Sequence, residues 1–221
     1  MIFEDRRDAG RKLAQRVAAV KAVDPLVLAV PRGGIVVAAE VAQALRAPLD
    51  VLIARKIGSP HNEELAIGAV AVDGTLLIDE SLTKALRVPD SYVKQQVEKE
   101  RREIERRTRY YRGNHPAPVL KGRTLIVVDD GVATGMTIKA ALRYLKPQGA
   151  ERVVLALPVA PADTAQELRR EVDELIVLHT PEPFYAVGQW YSLFDQTSDD
   201  EVVEILDSIR DLYPGDNKTP A

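Results

Sequence analysis

Apolar positions near the start of the chain recur at helical spacing. Leu13, Val17 and Val20 fall on one side with charges between them, which predicts a helix over residues 9–20. The pattern then changes. Residues 26–30 are a continuous apolar run between Pro25 and Pro31-Arg32-Gly33-Gly34, as expected of a strand buried on both faces that ends in a tight turn. Residues 35–45 return to helical spacing. Residues 50–54 predict a second short strand, followed by the basic pair Arg55-Lys56. Residues 66–72 and 76–78, joined by Asp73-Gly74, predict a hairpin.

Residues 89–112 differ in kind. Val93, Val97, Ile104 and Tyr111 make a thin apolar stripe in a charge-dense stretch. Glu98–Arg102, Glu103–Arg107 and Glu105–Arg109 are i,i+4 pairs in the favourable order, each contributing about 0.3–0.5 kcal/mol to a long, half-exposed helix. Residues 113–122, with Pro116 and Pro118, read as a linker. Beyond it the pattern regularises into strand (124–128), helix (136–145), strand (152–158), helix (162–170) and strand (174–178). That alternation predicts parallel βαβ units in an α/β fold, with helices on both faces of the sheet. Residues 199–212 predict a last helix with Ser198 as N-cap, and residues 214–221 a flexible tail.

Composition narrows the function. A chain of 221 residues buries roughly 70% of its unfolded surface, so a single domain over residues 1–221 needs no external staple. The absence of cysteine excludes disulfides, thiolate catalysis and Cys-ligated metals. A net charge of −3 excludes a generic polyanion binder. No apolar run approaches the ~20 residues of a membrane helix. The opening residues 1–8 are charged where a signal peptide is apolar, so no membrane association and a cytoplasmic location are expected.

One stretch carries chemistry: Leu125-Ile126-Val127-Val128-Asp129-Asp130-Gly131-Val132-Ala133-Thr134-Gly135-Met136-Thr137. A buried strand delivers two adjacent carboxylates to its C-terminal end, where open α/β sheets bind ligands. Gly131 and Gly135 let main-chain N–H groups converge on an anion, Thr134 and Thr137 add hydroxyls, and the next helix presents its positive end. A phosphate fits such a loop. Two carboxylates beside it would repel that phosphate unless they serve the diol of a sugar or a divalent cation, so the constellation describes a sugar phosphate. Neither a Gly-x-x-x-x-Gly-Lys-Ser/Thr loop nor a Gly-x-Gly-x-x-Gly fingerprint is present. At the end of the first predicted strand, Gly33 and Gly34 likewise free the backbone to approach an anion, and Arg32 can make a bidentate phosphate contact.

Four apolar residues, two acids, a short loop and Thr-Gly-x-Thr resemble the phosphoribosyl-pyrophosphate motif of type I phosphoribosyltransferases. The resemblance spans roughly residues 24–60 and 120–180. Pro-Arg-Gly-Gly followed by Arg-Lys-Ile-Gly and Glu-Leu-Ala-Ile-Gly-Ala-Val is similar to a bacterial phosphoribosyltransferase-like branch whose acceptor is unassigned. The resemblance implies that Asp129 and Asp130 hold the ribose hydroxyls and that Gly131, Val132, Ala133, Thr134, Gly135, Met136 and Thr137 wrap the 5′-phosphate. It implies a pyrophosphate site at Arg32, Gly33 and Gly34, with Arg55 and Lys56 on the same rim, and catalytic roles for Asp129, Asp130 and Arg32. Mg²⁺ is the implied cofactor, held mainly through substrate oxygens with Asp129 and Asp130 as the candidate protein ligands. Transfer of the phosphoribosyl group from phosphoribosyl pyrophosphate to a nitrogen base or amine needs no protein nucleophile. Residues 56–118 would form an inserted hood, with a loop at 58–64 closing over the site.

Other readings stay open. A phosphoribosyl-pyrophosphate-binding regulator that does little chemistry is the alternative. Residues 99–112 carry seven basic residues against three acids beside Tyr110 and Tyr111, which suits a nucleic-acid backbone, although the interleaved glutamates weigh against one. His61, Glu63 and Glu64 read as a polar loop rather than a metal site. Residues 180–191, with Phe184, Tyr185, Trp190 and Tyr191, either wall a flat base or pack the terminal segment. A homo-oligomer is compatible with the sequence. In the 6-oxopurine branch of the family an acid precedes the Thr-Gly of the loop; here that position is Ala133.

Overall fold

The computed structural model describes residues 1–214, the side chain of Glu64 excepted, so of the expected tail only Pro214 falls within the described residues. Five parallel strands form the main sheet: β1 (Leu26–Ala29), β2 (Leu49–Val51), β6 (Thr124–Val128), β7 (Arg152–Val159) and β8 (Glu174–His179), in the order β2-β1-β6-β7-β8. Alternate side chains of the strands serve opposite cores, as a period of two requires. Val27, Ala29, Ile126, Val128, Val154 and Ala156 meet α1 (Arg6–Val17), α2 (Gly34–Leu45) and α7 (Asp199–Leu212). Leu26, Leu28, Leu125, Val127, Leu155 and Leu157 meet α5 (Met136–Leu145) and α6 (Ala162–Leu168) on the other face. The α/β fold with both faces covered is the one the sequence predicts.

Between β2 and β6 the chain builds a second, antiparallel sheet of β3 (Ala54–Ser59), β4 (Asn62–Ala71) and β5 (Leu76–Ile78), then α3 (Glu80–Ala85) and α4 (Asp90–Arg112). The hood is expected over residues 56–118; the antiparallel sheet in this segment begins at Ala54. Two boundaries are corrected. The expected strand over 50–54 is two strands, with the first ending at Val51 and Ala54 opening the antiparallel sheet. The expected loop over 58–64 is the end of β3, a tight turn and the start of β4, with Ser59 paired to Asn62. The predicted 66–72/76–78 hairpin forms, and the Asp73 carboxylate accepts the Thr75 N–H at 2.8 Å across its turn.

Helix α4 holds its three predicted ion pairs, Glu98–Arg102 at 3.1 Å, Glu103–Arg107 at 2.6 Å and Glu105–Arg109 at 3.8 Å. It also reaches outward. Arg106 meets Asp199 at 2.8 Å, Arg112 meets Asp50 at 3.2 Å, and Tyr110 and Tyr111 donate to Asp200 and Asp199. Ser198 caps α7 as expected, accepting the Glu201 N–H at 3.0 Å. No helix among the described residues is long and apolar enough to cross a membrane.

Candidate active site

Strands β1 and β6 are neighbours in register, Leu26 beside Leu125 and Ala29 beside Val128, so both end at the same level. The chain leaves β1 toward β2 on one side and β6 toward β7 on the other. This is the topological switch point at which an open parallel sheet forms a crevice. The two loops predicted to carry chemistry therefore start side by side, tied by the Val30 N–H donating to the Val128 carbonyl at 2.8 Å. Helix α2 follows the first loop and α5 the second, on opposite faces of the sheet, and both point their N-termini toward the strand ends.

The approach between the loops is close. A Cβ built on Gly33 would lie 1.9 Å from Asp130 Oδ2, and one on Gly34 would lie 3.0 Å from Asp129 Oδ1 and from its Cα. Only glycine permits this contact, so the Gly33-Gly34 pair joins the first loop to the two acids. The Pro31–Arg32 peptide just before it is cis. Asp129 Oδ1 accepts the Asp130 N–H at 2.8 Å. Burial, and then the negative charge of Asp130, push the Asp129 carboxyl well above the usual carboxylate range. Burial also raises Asp130, opposed by the guanidinium of Arg6, whose Nε donates to Asp130 Oδ2 at 2.6 Å.

Beyond the acids the chain turns through Gly135, whose φ of +75° is left-handed, and α5 begins without a side-chain cap. Thr134 is exposed, Thr137 half-buried, and neither hydroxyl has a hydrogen-bond partner among the described residues. The loop itself is anchored from behind. Val132 N–H donates to the Val159 carbonyl at 3.0 Å, and Thr164 Oγ1 donates to the Ala133 carbonyl at 2.8 Å. Two hydroxyls without partners among the described residues and an uncapped helix end thus lie together at this loop, features that an anion cradle requires.

The remaining predicted residues lie as follows. Arg32 is half-buried and its guanidinium stands 3.7 Å from Asp199 at the start of α7. Arg55 and Lys56 sit in β3 rather than in a loop after β2, and Arg55 Nε is committed to Glu100 of α4 at 2.7 Å. His61 and Glu63 are exposed at the β3–β4 turn. Among the described residues no group of three or more His, Cys, Asp or Glu side chains could hold a metal ion. In residues 180–191, Tyr191 joins Phe3, Ala9 and Val159 in a small core against which Phe184 and Trp190 pack, while Tyr185 is exposed.

Sequence reasoning missed the residues that brace Asp130. Arg6 opens α1, and its guanidinium also donates to the Asp195 carbonyl at 2.7 Å and stacks 3.8 Å from the Phe194 ring centroid. Tyr191 donates its hydroxyl to the Asp130 carbonyl. The one available signal was an arginine in the first turn of a helix, where the macrodipole disfavours a cation. Arg6 also lines an open pocket of about 200 Å³, together with Val36, Asp195, Thr197 and Glu201 among others.

Comparison with known proteins agrees with this architecture. The family model described as the phosphoribosyl transferase domain matches residues 4–186. A Mycobacterium tuberculosis protein named provisionally as a phosphoribosyl transferase is 44% identical over 206 residues, which cover 93% of this chain and 46% of the relative. The chain thus spans about half the length of the curated relatives it matches. An adenine phosphoribosyltransferase of Mycoplasmopsis agalactiae is 36% identical over 62 residues, 27% of this chain and 36% of that protein. The crystal structure of TT1426 from Thermus thermophilus superposes with a TM-score of 0.76 at 42% identity, covering 93% of this chain and 98% of that one. With its motif loops converging at the β1/β6 switch point and the family model covering most of its length, the chain belongs to the phosphoribosyl transferase domain family.

Proposed function

We propose that this protein binds phosphoribosyl pyrophosphate with Mg²⁺ and transfers the phosphoribosyl group to a nitrogen base or amine. The observation that carries the reading is the packing of Gly33 and Gly34 against Asp129 and Asp130, which brings the two glycine-bearing loops and a pair of acids together. The 5′-phosphate would sit in the loop of residues 131–137, on main-chain N–H groups other than that of Val132 and on the Thr134 and Thr137 hydroxyls. Asp129 and Asp130 would accept hydrogen bonds from the ribose diol. The pyrophosphate would then lie on the Gly33-Gly34 backbone at the start of α2. There Arg32, whose ion pair among the described residues is a 3.7 Å contact with Asp199, would turn inward to meet it.

Transfer requires the C1–O bond to loosen toward an oxocarbenium-like state as negative charge collects on the departing pyrophosphate. Preorganised N–H donors and a guanidinium at that point stabilise the developing charge without reorganising. The residues fit a substrate-borne Mg²⁺: two carboxylates lie together in the crevice, too few to hold the ion with protein ligands alone. Asp129 and Asp130 would complete its shell, and the ion would supply further neutralisation of the pyrophosphate. The β3–β4 hairpin, at the tip of the inserted sheet, would close over the site and keep water from the activated sugar.

The ion pairs along α4 favour this reading over a nucleic-acid-binding regulator. Arg102, Arg106, Arg107, Arg109 and Arg112 face carboxylates, and Tyr111 is buried rather than presented for stacking. Calorimetry with Mg²⁺ and phosphoribosyl pyrophosphate tests the proposal. Wild-type protein should bind, and Asp129→Asn/Asp130→Asn should not, with amide exchange at Gly58 slowing only in the wild-type complex. Equal affinity in both proteins would overturn the assignment. Pyrophosphate release across a panel of bases and amines then identifies the acceptor.

A further inference from the structure

We propose that Arg6 is a positioning residue of this site, holding the Asp130 carboxylate in the orientation that receives the ribose hydroxyl. The proposal rests on the phosphoribosyl reading above. Three restraints act on the planar guanidinium at once: Asp130 Oδ2 at 2.6 Å, the Asp195 carbonyl at 2.7 Å and the Phe194 ring at 3.8 Å. The Arg6 and Asp130 side chains are 12% and 14% exposed, so this is a partly desolvated pair rather than a surface contact. Gly33 packs on the pair itself, since its Cβ would fall 2.7 Å from Arg6 Nε. The Tyr191 hydroxyl in turn holds the main-chain carbonyl of the same aspartate.

Asp130 is thus gripped at its carboxylate and its backbone by two segments that lie outside the sheet. The rigid fork of arginine suits this role, because it can meet a carboxylate, a carbonyl and an aromatic face in fixed relative positions. Without it a carboxylate packed beside Asp129 loses its counter-charge, and either rotates or takes a proton. Both outcomes misplace the acceptor for the sugar. Arg7, the next residue, offers a built-in control: it is 55% exposed and its ion pair is with Glu40 at 3.7 Å rather than with Asp129 or Asp130.

The test is a double-mutant cycle read by calorimetry, with Mg²⁺ and phosphoribosyl pyrophosphate as the probe. Arg6→Gln should weaken binding by about tenfold or more, as expected for contacting charged partners, and Arg7→Gln by less than about twofold. Arg6→Lys, which keeps the charge but not the fork, should recover part of the loss. In an Asp130→Asn background Arg6→Gln should add little further loss, because Arg6 acts through that carboxylate. Unchanged binding in Arg6→Gln, or the same loss in both backgrounds, would overturn the proposal. If Arg6→Gln does not fold, the cycle with Arg6→Lys carries the same test, and additivity there overturns it. Failure of the wild-type protein to bind the probe would instead overturn the phosphoribosyl reading on which this rests.

Discussion

Replacing Gly33 by alanine tests the architecture at its tightest point. The backbone there has φ −57° and ψ −35°, an ordinary right-handed conformation that alanine adopts freely. On conformational grounds alone the change should stabilise the protein by about 0.4–1 kcal/mol, through the narrower unfolded ensemble. Sterics act in the other direction. The new methyl would lie 1.9 Å from Asp130 Oδ2 and 2.8 Å from Asp130 Cγ, whereas carbon and oxygen normally approach no closer than about 3.3 Å. The shortfall of about 1.4 Å against the 3.3 Å norm must be met by moving the carboxylate, and Asp130 cannot move without leaving Arg6. Overpacking of this kind costs about 1–3 kcal/mol, so the net stability loss should be modest, about 0–2.5 kcal/mol, and the protein should still fold. Ligand affinity should suffer far more, because the displaced group is the one proposed to receive the sugar. Urea denaturation gives the first quantity, and titration with Mg²⁺ and phosphoribosyl pyrophosphate the second, with a loss of about a hundredfold expected, some 2.7 kcal/mol. A variant that binds within twofold of wild type would show that the contact between the two loops does not shape the site.

Two further outcomes follow from particular residues. Glu103, hydrogen-bonded to Arg106 and Arg107, has its carboxyl held down at about 2, so it contributes stability that is fully present above its ordinary value near 4.5 and is lost as pH falls toward 2. Glu103→Gln should therefore flatten the acid limb of the stability profile across that window, and parallel wild-type and variant curves would refute the assignment. Ala133 gives the phosphate loop no acid or base before its Thr-Gly, and the adjacent Val132 is apolar as well. A positioned acid–base group typically contributes about 10²–10⁴-fold, so hypoxanthine and guanine should be turned over slowly in a pyrophosphate-release assay. Turnover at the rate of a competent purine-salvage enzyme would refute that reasoning.

The parts of this site that were legible in the sequence are those written in consecutive residues. A strand, its terminal acids, the glycine–threonine loop and the next helix occupy residues 124–145 without interruption, and strand period and turn chemistry locate each of them. The i,i+4 pairs of α4 were readable for the same reason. What was not legible lies where the backbone alone gives no period. Residues 51–54 are one apolar run with no glycine or proline inside it, so the break at Leu52-Ile53, where the chain leaves the parallel sheet, carries no mark. The β3–β4 turn is Pro60-His61, flanked by Ser59 and Asn62, and such residues lack the alternation that a half-buried strand shows. Arg6 and Asp130 are separated by 124 positions, and no local rule joins them. On the proposal above, the site's chemistry depends on that pairing as much as on the motif. Two adjacent carboxylates at a buried strand end cannot both stay charged unless something positive comes to them, and the motif itself contains no cation. The sequence therefore poses a charge-balance problem at residues 129–130 that only a distant residue or a bound ligand can solve. In this fold the first helix supplies the distant residue.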